Sequence, residues 1–203
     1  SAPARDSDPF PLMDGHGDPP LDPVGRDQAE RVADRLAHEP IAAIYVSNLR
    51  RTAETAAPLA VRLGLEARVE PDLREVYLGE WEGGSFRKHV ADGHPVALRM
   101  YAEQRWDVIP GAEPGEAFAA RVRGAIVRIA AAHPDETVAV VSHGGVIGQA
   151  LAEASGARTF AFTGSDNAAI SHLVVTDDRW VIRRYNDTAH LGLAFTTAPE
   201  PLT

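Results

Sequence analysis

A run of β-branched residues that stops at a histidine and two glycines constrains this chain more than any other stretch. Thr137-Val138-Ala139-Val140-Val141 reads as a buried strand. Ser142-His143-Gly144-Gly145 interrupts it, and Val146 to Ala152 resumes with a helical pattern. The histidine therefore stands at the carboxyl end of a sheet strand, where open α/β sheets bind ligands. The glycines let backbone approach a ligand and aim free N–H groups at it, which suits phosphate or another small anion.

Strand and helix patterns alternate through most of the remaining chain. Residues 1–20 hold five prolines and two glycines and read as loop, not strand. Asp22-Pro23 then opens a helix over about 23–38, with Ala29, Val32, Ala33 and Leu36 on one side. Ile41–Val46 reads as a strand. Leu49–Leu63 reads as a helix with a small apolar face of Ala53, Ala56, Ala57, Ala60 and Leu63, a kink expected at Pro58, and Gly64 as C-cap. A short strand is expected over 65–69, structured loop over 73–84, and weaker helices over 86–91 and 95–106. A firm helix spans 115–132, with Phe118, Val122, Ala125, Ile126 and Ile129 together. Residues 168–176 and 179–184 read as a hairpin turning at Asp177-Asp178. From 191 onward there is no pattern. The whole predicts one α/β domain over 1–203: a three-layer α/β/α sandwich, mostly parallel, with an antiparallel edge.

Composition removes several classes of function. With 29 acidic against 20 basic residues the formal charge is -9, so neither nucleic acid nor an anionic membrane is an expected partner. There is no cysteine, which excludes disulfides, thiolate chemistry and cysteine metal sites. No apolar run is long enough to span a membrane, and a cytoplasmic enzyme is the expectation. No two histidines share a useful metal-binding spacing, so no metal and no cofactor are expected. The dinucleotide turn, the Gly-Lys phosphate loop and the Gly-x-Ser-x-Gly nucleophile elbow are all missing.

Four segments join an element end to polar residues: Ser47-Asn48-Leu49-Arg50-Arg51-Thr52, Glu75 with Glu82, His143-Gly144, and Asn186-Asp187-Thr188-Ala189-His190. If the first three meet over the strand ends, the site holds arginine, a carboxylic acid, and a histidine beside free N–H groups. Arginine and N–H groups clamp a phosphoryl group. A carboxyl near phosphate oxygens has a raised pKa and can protonate a leaving alkoxide. One of Arg50 and Arg51 is expected in a surface salt bridge. Glu80 and Glu82 read as solvated and Trp81 as core cover. His38, His89, His94, His133 and His172 have no site context. Asp14 to Asp18 would lie over the pocket mouth, making His16 a substrate-binding candidate.

Taken in order over about 18–191, these segments resemble the histidine phosphatase superfamily, the phosphoglycerate mutase-like family. Asp18-Pro19-Pro20-Leu21 with Gly25-Arg26-Asp27-Gln28-Ala29 resembles the stretch opening its first helix. Ser47 to Thr55 resembles its Ser-x-Leu-x-Arg motif and places the phosphate-pocket arginine at Arg51. Leu73 to Gly83 resembles the segment of the acid-base glutamate, at Glu75. Ser142-His143-Gly144-Gly145 resembles the second-histidine motif, with Gly144 offering a phosphate-facing N–H. Asn167 and Asn186 to Leu191 match late patches. The resemblance implies the mutase-like fold and a phosphatase acting on small-molecule phosphomonoesters through a phosphohistidine, acid phosphatase-like and cofactor-free. Its ligands would be a phosphate ester or inorganic phosphate, in a monomer or, by base rate, a homodimer. The family's first strand, ending in Arg-His-Gly, has no counterpart in residues 1–46, so the resemblance places the nucleophilic histidine upstream of Ser1. Phosphoglycerate mutase chemistry, or phosphate binding without turnover, are the alternatives.

Overall fold

Asp22 accepts the Gly25 N–H at 2.7 Å and Pro23 supplies a fixed φ, so the first helix starts where these residues dictate. The computed structural model describes residues 10–192. In chain order the strands and helices are β1 (Leu12–Met13), β2 (His16–Gly17), α1 (Pro23–Leu36), β3 (Ile41–Val46), α2 (Arg50–Leu63), β4 (Ala67–Val69), α3 (Ser85–Ala91), α4 (Pro95–Glu103), α5 (Gly115–Ala132), β5 (Thr137–Val141), α6 (Gly144–Ser155), β6 (Ile170–Val175) and β7 (Trp180–Asp187). Short 3-10 turns cover Pro71–Leu73 and Gly79–Gly84. The residues beyond 192, where no pattern was found, lie outside the described residues.

β3 lies between β4 and β5 in a parallel sheet, with Val46 opposite both Val69 and Val141. That register brings the ends of β3 and β5 side by side. Ile44 and Val46 pack with Ala33 of α1 and with Ala56 and Leu59 of α2. On the other side Phe118, Val122, Ala125 and Ile129 of α5 join Val146 and Ala150 of α6. β6 and β7 form an antiparallel hairpin, closed where Thr176 N–H donates to Arg179 C=O. The result is the α/β sandwich expected, with parallel and antiparallel strands flanked by helices. Among the described residues no helix is long and apolar enough to cross a membrane.

Some expectations need correction. Within 1–20, read as loop, Leu12–Met13 and His16–Gly17 pair as two short antiparallel strands. The buried stripe of α2 is Thr52, Ala56 and Leu59, while Ala53 and Ala57 face solvent. Alanine carries little side-chain information, so Leu59 decides which face turns inward. Finally, the hairpin does not pair with the parallel sheet. β5, read as a buried strand, is the last strand of its sheet among the described residues; none of its residues is fully buried, and Val140 is 38% exposed. Among the described residues β5 and β6 each have one edge without a ladder partner, and residues of both strands line the same cavity.

Candidate active site

His143 leaves β5 in extended backbone and caps α6. Its ring is buried, with Nε2 2.8 Å from Ser47 Oγ. Ser47 ends β3, and the parallel register delivers it beside His143 across 96 positions of sequence. Ser47 Oγ also accepts from Leu49 N–H at 3.2 Å and lies 3.0 Å from Thr52 Oγ1. The imidazole is thus held by a buried hydroxyl pair at the start of α2. Burial pushes the His143 pKa well below its usual range, and Arg51, His16 and Arg121 push it the same way. The ring is neutral at physiological pH.

Glu75 faces the first turn of α6. Its carboxylate accepts from Gly145 N–H at 3.2 Å and from Val76 N–H at 2.9 Å. Glycine at 145 lets the two come this close, because a Cβ there would run into the Glu75 carboxylate and one of them would have to shift. Burial raises the Glu75 pKa, outweighing the two N–H bonds and the charges of Arg51 and Arg121. The raised pKa was expected, but its expected cause was a bound phosphate; desolvation already suffices. The free N–H groups foreseen at the glycines are also partly committed, since Glu75 takes that of Gly145.

Arg51 and Arg50 diverge as expected. Arg50 is exposed and pairs with Glu54. Arg51 points inward, donating to Gly17 C=O at 2.8 Å and lying 3.9 Å from Asp18. Burial presses the Arg51 pKa down; Glu75, Asp18 and Glu82 oppose this, and Arg87 adds to it. An arginine still stays cationic at physiological pH. His16 is buried, edge-on to Tyr77, with Nδ1 3.8 Å from Glu82. Burial lowers its pKa and Glu82 opposes the shift. Glu82 itself is not solvated as read. It accepts from Gly17 N–H at 2.7 Å and Leu78 N–H at 2.9 Å, tying β2 to the loop after Glu75. Neither N–H has a ladder partner, so each needs an acceptor.

One cavity of about 680 Å³ is lined by all five predicted site residues, His16, Arg51, Glu75, His143 and Gly144. It runs on between the open edges of β5 and β6. Sequence reasoning missed three of its features. His172, read as lacking context, lines it from β6. Arg87 lines it from α3 and has no carboxylate partner among the described residues. Ser47 was noted only as part of a motif, although its hydroxyl holds His143. The signal for Ser47 was its position at a strand end; nothing local marks the other two. No group of three or more His, Asp or Glu side chains among the described residues is arranged to hold a metal ion. A cation, a neutral imidazole and a carboxyl whose pKa burial raises, set around one cavity, can bind a phosphoryl group and move a proton to its ester oxygen.

Comparison with known proteins agrees with this chemistry. A profile of the histidine phosphatase superfamily (branch 1) matches residues 10–188. Phosphoglycerate mutase-like protein 4 of Arabidopsis thaliana is 35% identical, over 88% of this chain and 79% of its own. Phosphoserine phosphatase 1 of Hydrogenobacter thermophilus is 31% identical, over 91% and 89%. The structure of a mycobacterial glucosyl-3-phosphoglycerate phosphatase with inorganic phosphate superposes with a TM-score of 0.75. It is 31% identical, covering 90% of this chain and 94% of that one.

Proposed function

The chain belongs to the histidine phosphatase superfamily, and from that premise we propose that it hydrolyses small phosphomonoesters through a phosphohistidine, with Glu75 as proton donor. The observation that carries this reading is Glu75 itself. Burial keeps its carboxyl protonated above the usual range, beside the Arg51 cation and the neutral His143.

In this reading Arg51 and His143 hold the non-bridging oxygens of the phosphoryl group, and Gly144 N–H and His16 border it. An imidazole nitrogen attacks phosphorus in line, forming a P–N bond as the P–O ester bond breaks. Glu75 gives its proton to the departing oxygen. The resulting carboxylate then takes a proton from water, whose oxygen attacks phosphorus and frees the imidazole and phosphate. The slot between β5 and β6 supports the route of the attacking group. Two strand edges on one cavity, without ladder partners among the described residues, can accept an extended segment by ladder pairing.

Arg87 on the cavity wall, without a carboxylate partner among the described residues, supports an ester whose alcohol carries a second anionic group. Phosphoserine and glucosyl-3-phosphoglycerate, which give relatives their names, are the first substrates to assay. A homodimer in the cytoplasm belongs to the same proposal; it rests on the frequency of symmetric dimers, and sedimentation and fractionation test it.

The test is covalent. The protein as made from its own gene is mixed with a ³²P-labelled phosphomonoester and quenched in base. Acid-labile, base-stable label on one histidine is expected, with Glu75→Gln slowing its formation. Turnover without labelled histidine, or full activity in Glu75→Gln, would refute the proposal.

A further inference from the structure

Glu75 lies in a segment that has no ladder and no helix to hold it. Residues 74–78 follow the 3-10 turn at Pro71–Leu73 and precede the one at Gly79–Gly84. Yet a proton donor has to be placed within a few tenths of an ångström of its target. The segment's order comes from the side chain of Arg121 on α5, only 9% exposed and lying over the Phe118 ring at 4.8 Å.

A guanidinium has five N–H donors, and in Arg121 every one is used. Nη1 donates to Asp72 C=O and Arg74 C=O, each at 2.7 Å. Nη2 donates to the carbonyl of Glu75 itself at 3.0 Å. The remaining bonds form a fork onto Glu113, Nε to Oε1 at 2.6 Å and Nη2 to Oε2 at 2.7 Å. Glu113 in turn grips Tyr77 twice: its carboxylate accepts the Tyr77 N–H at 3.3 Å, and its N–H donates to Tyr77 C=O at 2.9 Å. The pair therefore fixes backbone on both sides of Glu75, from three residues before it to two after.

We propose that Arg121, oriented by Glu113, is the positioning residue that sets Glu75 for proton transfer. The proposal rests on Glu75 being the proton donor. Lysine cannot replace the fork, since three carbonyls and a bidentate carboxylate need the planar geometry. Two charges act on the Glu75 carboxyl, Arg51 from α2 and Arg121 from α5, while buried His143 across the cavity is neutral. Removing the Arg121 charge favours the protonated carboxyl further.

The experiment compares two leaving groups with the full-length enzyme. p-Nitrophenyl phosphate departs without help from an acid, whereas O-phosphoserine needs the proton. Arg121→Lys should lower kcat/KM on phosphoserine by ~10- to 100-fold, a part of what general acid catalysis supplies. Its kcat/KM on p-nitrophenyl phosphate should fall by no more than about threefold, because this ratio ends at formation of the phosphohistidine, before the water step that Glu75 also serves, and proton donation is the part that is lost. Arg121→Gln should add a shift of the alkaline limb of the phosphoserine kcat/KM profile to higher pH; Arg121→Lys should not. Equal losses of kcat/KM on both esters, or an unmoved limb in Arg121→Gln, would overturn the proposal. Where Arg121→Gln does not fold, Glu113→Gln is read by the same ratio of the two kcat/KM values. Glu75→Gln separates the two levels. If it loses kcat/KM equally on both esters, the proton-donor reading fails and this inference with it. If it shows the leaving-group dependence and the Arg121 variants do not, only the positioning role is wrong.

Discussion

Glu75 and Gly145 make a matched pair. The carboxyl occupies the space a β-carbon would take, and it accepts the backbone N–H of the same glycine. Gly145→Ala must therefore push Glu75 away from the head of α6. Phosphatase activity on an alkyl ester should fall at least ~10-fold, a fraction of what a general acid provides, while p-nitrophenyl phosphate turnover should fall much less. Ser47→Ala removes the hydroxyl on His143 Nε2; a loss of about 1 kcal/mol in unfolding free energy is expected, the usual worth of such a bond, as read by urea denaturation. Much of this site was legible one residue at a time. Arg51, Glu75 and His143 each sit where a strand, turn or helix ends, and such ends are where polar side chains meet ligands. Glu82 and Arg121 were not legible, because their roles lie in backbone groups 65 and 46 to 49 positions away. A Glu in a glycine-rich turn and an Arg on an amphipathic helix look like solvated charges until the tertiary partners are known.

Elements with distinct side chains were read from their periodicity almost to the residue. α5, with Phe118, Val122, Ala125 and Ile129 at helical spacing, spans Gly115–Ala132 as expected. α2 shows the limit of that method. Its alanines lie all round the helix, and an alanine stripe does not decide which face packs. The inward face is set by Leu59, buried against Ile44 and Val46, whereas Val61 is 82% exposed. Leu59→Ala should cost roughly 2–5 kcal/mol of stability, as large-to-small core changes do. Val61→Ala should stay within about 0.5 kcal/mol, as surface changes do. Denaturant unfolding of both variants checks the assignment. The short pairing of β1 with β2 escaped the sequence reading for a related reason. Two residues per strand cannot show an alternation, and the structure holds them through Glu82 instead.

Across the whole molecule the buried titrating groups oppose one another. His143 and His16 have folded pKa values below 6.5, chiefly through burial. Their contribution to stability is complete above that pH and is lost as pH falls through the folded values. Glu75 behaves in the opposite sense. Its folded pKa lies above 4.5 through burial, so its contribution is complete below that pH and is lost as pH rises through the folded value. Where the two imidazoles outweigh Glu75, the unfolding temperature should fall from pH 7 towards pH 5, and His143→Gln, which has no proton to gain, should show a shallower acid decline. An acid decline unchanged in His143→Gln would remove His143 from this balance. The same buried groups surround one cavity, into which the ends of β5, α2 and α6 deliver polar groups. Whether that cavity is a phosphoryl-transfer site is answered most directly by a crystal structure of the protein as made from its own gene, with vanadate bound. The account predicts vanadium bonded to an imidazole nitrogen, Arg51 and His143 on its equatorial oxygens, and the Glu75 carboxyl at the opposite apex. Vanadate bound away from Arg51 and Glu75, or with no imidazole at vanadium, would contradict it.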